Sequence, residues 1–562
     1  MSRFQQEMLP FESAARGSRP APDKPRKAPR KPRAARASPK GSSGRLSAES
    51  MAAKQREISV SEFFAKNRHL LGFDNPSKAL LTTVKELVDN SLDAADEARI
   101  PADIDLWIDM ISEDRFRVTC SDNGPGIVPK NVPLVFGKLL FGSKFHRLKM
   151  SRGQQGIGVS AAGMYGLLTT GKPVRVISRT SPRKPAVEVD LAIDTRKNEP
   201  TVKSSEEVDW EQDHGTKVEI ELQAGYRKGQ HSVESYVKQV SLANPHATIR
   251  YWPPDRTGDE PIVYERVTEE IPPETDEIKP HPYGVELGLL LQMLHETRSR
   301  NLSGFLSSEF SRVSSRVAGE ICRTAGLEPS KRPRKLDRFH AEKIHKAIAA
   351  TKIMAPSTDC IAPIGEELLQ KALHAIQPGD FITAVTRRPM VYRGNPFLIE
   401  VALSYGGSLA GDEPATSYRF ANRVPLQYQQ GACAITRSIS ATDWKSYGFQ
   451  QPKGSLPIGP MVVLVHIASV WVPFTSESKE AIAHYPEIIK EIRLGLQDCG
   501  RRVATYIRRR RREADELKKR GYIEKYIPQV AIALQQILGF DEKEKERTVE
   551  TLTDVLRRSR KM

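Results

Sequence analysis

Residues 75 to 171 constrain the fold most strongly, because three polar or glycine-rich motifs occur there in a fixed order along alternating local structures. The stretch SKALLTTVKELVDNSLDAADEAR follows Asn75-Pro76, and proline is favoured in the first turn of a helix. Its apolar residues fall at helical spacing and predict a buried stripe, made of Leu80, Val84, Leu87, Val88, Leu92 and Ala95. A long amphipathic helix is therefore expected.

Two alternating segments come next, DIDLWIDM and RFRVTCS, and their period of two predicts a β-hairpin. Ser112, Glu113 and Asp114 join the two segments. A glycine-rich region then runs from Gly124 to Gly171, with a second helix expected to start near Val159. Further strands are expected up to about Leu222.

The first motif, KELVDN, lies on the predicted long helix. Glu86 and Asn90 are four residues apart, so they share a face, and that face is not the one that carries the buried stripe. A carboxylate beside a carboxamide can polarise a water and offer oxygen ligands to Mg²⁺. Taken alone, such a pair is more often a solvated helix face.

The second motif, DNGPGI, follows the hairpin directly. Gly124 and Gly126 allow the backbone to turn tightly and approach a planar ligand. Asp122 can accept a hydrogen bond from an exocyclic amine such as that of adenine. A simple turn is the alternative interpretation.

The third motif, RGQQGIGVSAAGMYG, is a glycine loop that leads into a helix, where free backbone N–H groups suit phosphate. The loop residues expected to cradle phosphates are Gly153, Gln154, Gln155, Gly156, Ile157, Gly158, Val159 and Ser160. Upstream, FGSK offers Ser143 and Lys144 as further phosphate contacts. The loop fits neither the P-loop pattern nor a dinucleotide fingerprint.

Together the three motifs resemble the ATP site of the Bergerat (GHKL) superfamily, which includes gyrase B subunits, MutL, heat-shock chaperone ATPases and histidine kinases. The resemblance implies an α/β sandwich that binds ATP with Mg²⁺. It also implies roles for the motif residues: Asp122 reads adenine, Asn90 holds the Mg²⁺ on ATP, and Glu86 activates the attacking water.

Beyond the ATP motifs, residues 56 to 520 resemble the B subunits of type IIB DNA topoisomerases (topoisomerase VI). The resemblance is carried by LLFGSKFH, RGQQGIGVSAAGMYG, GEICRTAGLEPSK and RRPMVYRGNPFLIEVALSYGG. It implies an α+β multidomain chain whose long stalk helix closes an α/β transducer. The expected segments are a disordered tail (1–55), the ATPase domain (56–277), a helix-two-turns-helix insert (278–357), the transducer (358–520) and a C-terminal helical extension (521–562).

The resemblance also assigns roles within the transducer. The family's W-K-x-Y motif, implicated in DNA contact, appears as Trp444, Lys445 and Tyr447, with a core aromatic as the alternative. Lys479 occupies the place of the family's switch lysine, which reaches the γ-phosphate, although the family more often has Gly where this chain has Ser478. From the residues alone, Lys479 would be an exposed residue at the start of a helix expected to run from about Glu480 to Arg512, with one or two more helices past Gly521.

The family further implies that ATP binding dimerises the ATPase domains and closes a gate around duplex DNA. The sequence shows no E-G-D-S toprim signature and no tyrosine cleavage site. We therefore expect cleavage to reside in a partner A subunit of an A₂B₂ heterotetramer, docked at the end of the stalk helix. A MutL-like repair clamp and a non-enzymatic accessory subunit of a DNA-breaking complex are the alternatives.

Charge and cysteine usage agree with a polyanionic partner in a reducing compartment. The chain carries a formal net charge of +17, and residues 1–56 hold 14 Lys/Arg against 4 Asp/Glu, so the predicted tail supplies +10 of it. The five cysteines are scattered and form no CxxC pair. No apolar run approaches a membrane span. A cytoplasmic or nucleoid location is expected, or a nuclear one in a eukaryote.

Overall fold

The computed structural model describes residues 58–142, 148–153, 156–476, 478–539 and 541–559. The predicted tail lies outside these ranges. Residues Ile58–Met562 form one compact unit. No helix in the described ranges is long and apolar enough to cross a membrane.

The N-terminal part of the unit is built on an eight-stranded sheet with the order β5-β4-β3-β6-β2-β1-β7-β8. The β1–β7 pair is parallel and the other neighbours are antiparallel. Its strands are β1 (Asp103–Ser112), β2 (Arg115–Asp122), β3 (Val174–Arg179), β4 (Ala186–Asp194), β5 (Glu199–Val208), β6 (Gly215–Gln223), β7 (Thr248–Trp252) and β8 (Ile262–Tyr264). The predicted hairpin is confirmed as β1–β2.

Five helices accompany this sheet: α1 (Val60–Lys66), α2 (Pro76–Ala98), α3 (Val132–Gly137), α4 (Gly158–Thr170) and α5 (Val233–Ala243). Helix α2 begins where predicted, because the Asn75 side chain accepts a hydrogen bond from the backbone N–H of Lys78 at 2.9 Å. The predicted stripe is buried in a single core with residues of β1, β2 and β6. The opposite face of α2 is therefore left for the polar motif.

Short helices form the middle of the chain: α6 (Leu287–Glu296), α7 (Leu302–Glu309), α8 (Ser315–Ala325) and α9 (Arg338–Ala350). They enclose an apolar core of their own, centred on Phe305, Phe310 and Ile344. This core is separate from the cores of the two sheets.

A second sheet follows, in which β10-β11-β14-β12-β13 are neighbours and β9 also pairs with β11. Its strands are β9 (Phe381–Thr386), β10 (Met390–Tyr392), β11 (Asn395–Tyr405), β12 (Thr416–Ala421), β13 (Val424–Pro425) and β14 (Met461–Ser469). All nine residues of β14 are buried, because helices cover both faces of the sheet. Helices α11 (Ala434–Ala441) and α12 (Pro486–Leu538) cover one face, and α10 (Glu366–Ile376) covers the other.

The two sheet domains share an apolar interface. Leu242 and Ala243, at the end of α5, belong to the same buried cluster as Leu369 of α10 and Leu464 of β14. The end of α5 therefore contacts the transducer directly.

Helix α12 differs from the sequence prediction at both ends. It begins at Pro486 rather than near Glu480, and it continues for 53 residues without a break at Gly521. An interior glycine costs a helix only about 1 kcal/mol, which is too little to end it here. Helix α13 (Glu542–Ser559) then follows, so the predicted boundary at 521 falls inside α12.

Candidate functional site

A cavity of about 660 Å³ lies where α2, the ends of β2 and β6, the glycine loop and the transducer meet. This volume lies in the range of small-molecule and cofactor sites. Of the predicted residues, those that line it are Glu86, Asn90, Asp122, Gly126, Gly153, Gly156, Ile157, Gly158, Val159 and Lys479. Ser143, Lys144, Gln154 and Gln155 lie outside the described residues.

The carboxylate of Asp122 is held at the cavity by hydrogen bonds. It ends β2, and its carboxylate accepts hydrogen bonds from the Ser91 hydroxyl at 2.8 Å and the N–H groups of Gly124 (2.9 Å) and Thr216 (3.3 Å). Burial raises the pKa of Asp122, and these three bonds oppose that rise. Three donors on one carboxylate hold its orientation toward the cavity.

Gly124 and Gly126 shape this corner in different ways. Gly124 does not line the cavity; its N–H holds Asp122, and its carbonyl contacts His214 Nδ1 at 2.8 Å. Gly126 has a φ of +70°, and a Cβ there would lie 2.0 Å from the Arg179 carbonyl oxygen. Only glycine allows this approach between backbones, and the approach of a planar ligand stays a prediction.

Glu86 and Asn90 both line the cavity from α2, as their shared helical face predicted. Glu86 Oε2 fills the space where a Cβ on Gly158 would stand, at 1.6 Å. The carboxylate therefore lies against the N-terminus of α4, whose unpaired N–H groups attract negative charge. Its other oxygen is 3.9 Å from Lys85 Nζ.

A buried acid–phenol pair beside Glu86 escaped the sequence analysis. Asp89, the neighbour of Asn90 on α2, accepts a hydrogen bond from the Tyr236 hydroxyl of α5 at 3.0 Å. Burial raises the pKa of Asp89 to about 7, with Glu86 and Asp93 raising it further and Lys85 and Arg152 lowering it. Only the packing of α5 on α2 brings Tyr236 here.

This pair predicts a pH-dependent stability. The folded pKa of Asp89 is raised from 3.8 to about 7, so folding takes up a proton between these two values. The free energy of unfolding therefore falls as pH rises from about 4 to about 7 and levels off above that. Asp89→Asn keeps an acceptor for Tyr236 and cannot ionise. We expect this variant to gain denaturant resistance relative to wild type between pH 5 and pH 8. An identical pH dependence of the urea midpoint in both proteins would contradict the assignment.

Of the described loop residues, Gly153 and residues 156–159 line the cavity, whereas Ser160 does not. The Ser160 side chain is buried, and its hydroxyl donates to the carbonyls of Val135 (3.0 Å) and Lys138 (3.2 Å). The first turn of α4 directs it into the protein, away from the cavity. The hydroxyl therefore holds the loop that follows α3, and a phosphate contact by the backbone N–H of Ser160 stays a prediction.

Lys479 lies in a loop that the interpretation from the residues alone placed wrongly. Phe474 and Ile482 form an antiparallel bridge, and the loop between them turns at Lys479, which has a φ of +53°. The side chain is partly buried and lines the cavity. Burial lowers the pKa of its ammonium, and Lys85 lowers it further. Two lysines thus offer positive charge to the same cavity.

An ion pair fixes this loop to the ATPase domain. Glu480, next to Lys479, is buried and lies 2.7 Å from Lys78 Nζ in the first turn of α2. Lys78 also lies over the ring of Tyr428, at 5.3 Å, and Tyr428 lines the cavity from the transducer. The transducer therefore contributes part of the cavity wall.

The residues of the predicted DNA-contact motif lie partly in the core and partly at the surface. Trp444 is fully buried, and its Nε1 donates to the Ile439 carbonyl at 2.8 Å. Its side chain cannot touch DNA in this structure, so the core alternative holds for Trp444. Lys445 is exposed, whereas Tyr447 is partly buried and packs against Gly500 of α12. A direct contact by Lys445 stays a prediction.

Comparison with known families places both halves of this site in a defined class. Residues 75–225 match the family of histidine kinase-, DNA gyrase B- and HSP90-like ATPases. Residues 356–519 match the transducer of the B subunits of topoisomerase VI. The chain thus combines an ATPase domain of this class with a transducer domain, and the cavity is lined by residues of both matched ranges.

Curated relatives agree over most of the chain. The B subunit of type 2 DNA topoisomerase 6 from Archaeoglobus fulgidus is 47% identical over 500 residues, covering 89% of this chain and 82% of that protein. Its counterpart from Methanococcoides burtonii is 47% identical (88% and 79% covered), and that from Pyrococcus horikoshii is 38% identical (86% and 92%). The chain belongs to this family and is an ATP-hydrolysing subunit of a type II topoisomerase. The predicted fold class and family are confirmed, and the repair-clamp alternative is not supported.

Proposed function

We propose that the chain binds ATP with the adenine amine on Asp122 and the phosphates along residues 153–159. The observation that carries this proposal is that Glu86 of α2 and Lys479 of the transducer line the same cavity. A general base and a phosphate-sensing cation on different domains allow nucleotide state to change the contact between those domains. The fixed carboxylate of Asp122 supports its role in adenine recognition.

In this mechanism Glu86 orients the attacking water and takes its proton as the water oxygen bonds to the γ-phosphorus. The bond from the γ-phosphorus to the β,γ-bridging oxygen breaks, and ADP leaves with that oxygen. The position of Glu86 at the N-terminus of α4 supports this role, because the same N–H groups attract the phosphates. Lys479 and Lys85 supply positive charge for the phosphate oxygens. Loss of the γ-phosphate would remove the partner of Lys479 and free the transducer loop.

The donor set of the cavity also suits a magnesium ion. Asn90 is exposed to the cavity and offers an amide oxygen, a ligand type that Mg²⁺ accepts. Asn90 would hold the ion, which neutralises phosphate charge when bound.

At the level of the assembly, ATP binding dimerises two copies of the chain and closes a gate around duplex DNA, and hydrolysis reopens it. Cleavage belongs to a topoisomerase VI-type A subunit in an A₂B₂ heterotetramer. The family of the chain and the nucleotide site shared between two domains support this cycle. It would operate with DNA, in the nucleoid or cytoplasm, or in the nucleus of a eukaryote.

ATP-dependent decatenation tests the proposal. The chain is mixed with the A subunit from the same source, catenated circular DNA and Mg²⁺, with and without ATP. We expect unlinking that requires both proteins and ATP. ATP hydrolysis and nucleotide-driven dimerisation without unlinking would instead indicate a clamp that does not pass strands.

A further inference from the structure

A network of buried polar groups lies next to the residues that precede the glycine loop. A cleft of about 260 Å³ opens there between the ATPase domain and the transducer. Arg152, the residue before Gly153, is buried at its inner end, and its Nη1 donates to Asp93 (2.9 Å) and Asp96 (2.7 Å) of α2. This arginine fixes the start of the loop to the helix that carries Glu86.

The backbone just before Arg152 is bonded to elements outside the ATPase sheet. The Leu148 carbonyl accepts from the N–H of Ile278 at 3.0 Å, and the Met150 N–H donates to the Cys360 carbonyl at 2.9 Å. The Ser151 carbonyl accepts from the Asn422 side-chain amide at 3.0 Å. The entry to the glycine loop is therefore bonded to the transducer and to the segment that precedes the helical insert.

Asn422 and Arg423 form the turn between β12 and β13. This turn bonds to Ser151 before the glycine loop and to Ala243 at the end of α5. Both residues of the turn have left-handed backbones, with φ of +49° and +68°, a conformation that asparagine tolerates better than most residues. Besides Ser151, the Asn422 amide donates to the Ser469 carbonyl (2.9 Å), and its Oδ1 accepts from the Ser469 N–H (2.9 Å). One buried side chain thus joins the end of β14 to the glycine loop.

Arg423 extends the same network in two directions. Its guanidinium donates to the Pro363 carbonyl at 2.9 Å and to the Ala243 carbonyl, at the end of α5, at 3.4 Å. Its backbone N–H donates to Nε2 of His466 at 3.0 Å. An N–H can only donate, so Nε2 carries the lone pair and the His466 Nδ1–H donates to Glu400 at 2.8 Å.

Glu400 is the last member of this hydrogen-bond network and lies on β11 of the transducer sheet. It is fully buried and accepts from the N–H groups of Ile364 (2.9 Å) and Gly365 (2.7 Å), and from the Thr386 hydroxyl (2.9 Å). Each residue of the network has at least one hydrogen-bond partner, although Arg152 Nε has none, and these bonds hold the residues in one geometry.

We propose that Asn422 is a positioning residue for ATP, which sets the position of the phosphate-binding loop from the transducer through the Ser151 carbonyl. The inference rests on the cavity being the ATP site, and it adds a second connection beside the Lys479 loop. Lys479 lines the cavity in which the nucleotide would bind, whereas Asn422 contacts only the backbone that leads into residues 153–159. Its loss should weaken nucleotide binding and leave the groups that act on the γ-phosphate in place.

Asn422→Gly is the test variant, because glycine keeps the left-handed turn and removes the amide. In the full chain we expect a Kd for a non-hydrolysable ATP analogue and a KM for ATP that are each roughly 3- to 10-fold higher, about the effect of one lost hydrogen bond. The kcat should stay within about twofold of wild type. A purely structural role would lower kcat and thermal stability and leave KM and Kd unchanged, and that result would overturn the proposal.

Two further variants complete the design. Arg312→Gly is the matched control, since Arg312 is exposed in the helical insert and has the same left-handed backbone, with a φ of +59°. It should bind the analogue as wild type does. If Asn422→Gly does not fold, Asn422→Asp is the second test variant. It keeps the turn and the acceptor for Ser469, and it loses the donor to Ser151. We expect it to raise the Kd as well, and an unchanged Kd would overturn the proposal. These measurements concern nucleotide binding and hydrolysis. A failure of strand passage in the decatenation assay would contradict the proposed gate cycle and would leave the role of Asn422 unaffected.

Discussion

Glu86→Ala should bind ATP and still close the ATPase dimer, but its ATP turnover should fall by about 10²- to 10⁴-fold. This is the usual contribution of a positioned general base. The carboxylate lies against Gly158 at the start of α4, where the phosphate loop ends, and a water attacking the γ-phosphate there would need a base. Steady-state hydrolysis and analogue-induced dimerisation by light scattering measure the two properties separately.

Glu86→Gln should lose turnover as Ala does, because it keeps the shape and removes the basic oxygen. The matched control is Glu113→Gln, which removes an exposed carboxylate from the β1–β2 turn of the same domain. It should hydrolyse ATP at the wild-type rate. Turnover near wild type in both Glu86 variants would rule out Glu86 as the base.

Lys479→Ala should bind ATP but lose nucleotide-driven strand passage, and its hydrolysis should fall roughly 10- to 150-fold. That range corresponds to the loss of one hydrogen bond to a charged group. The lysine is the point at which a transducer loop reaches into the ATP cavity. Decatenation with the A subunit, alongside ATPase rates, measures the coupling.

Lys490→Ala provides the control for charge, because Lys490 is an exposed lysine near the start of α12 in the same domain. It should support decatenation at the wild-type level. Normal strand passage by Lys479→Ala would show that nucleotide state reaches the transducer by another route. The Lys78–Glu480 ion pair would then be the next contact to test, since it ties the same loop to α2.

Local chemistry made much of the ATPase domain predictable. Helix α2 follows from an asparagine cap, a proline at its first position and a periodic apolar stripe, and all three act within a few residues of each other. The β1–β2 hairpin follows from its alternation of apolar and polar residues. Glu86 and Asn90 share a face because helical geometry alone requires it.

Other features depend on contacts between residues far apart in the chain, and no local pattern records them. The Tyr236–Asp89 pair joins residues 147 positions apart, and Thr216 reaches Asp122 because β6 is the neighbour of β2. Trp444 belongs to a motif that the resemblance implicates in DNA contact, yet the packing of α11 and α12 buries its side chain. Burial of this kind is decided by which elements meet.

The sequence by itself thus determined the helix, the hairpin and the order of the three motifs, and through them the ATPase class, because each depends on short-range geometry. Only the tertiary structure decided that Lys479 lines the cavity from a bridged loop, that the Ser160 hydroxyl bonds to carbonyls away from it, and that the Asn422 amide bonds the Ser151 carbonyl before the glycine loop. These outcomes depend on how two sheet domains pack against each other, and that packing buries polar groups whose partners lie hundreds of residues away.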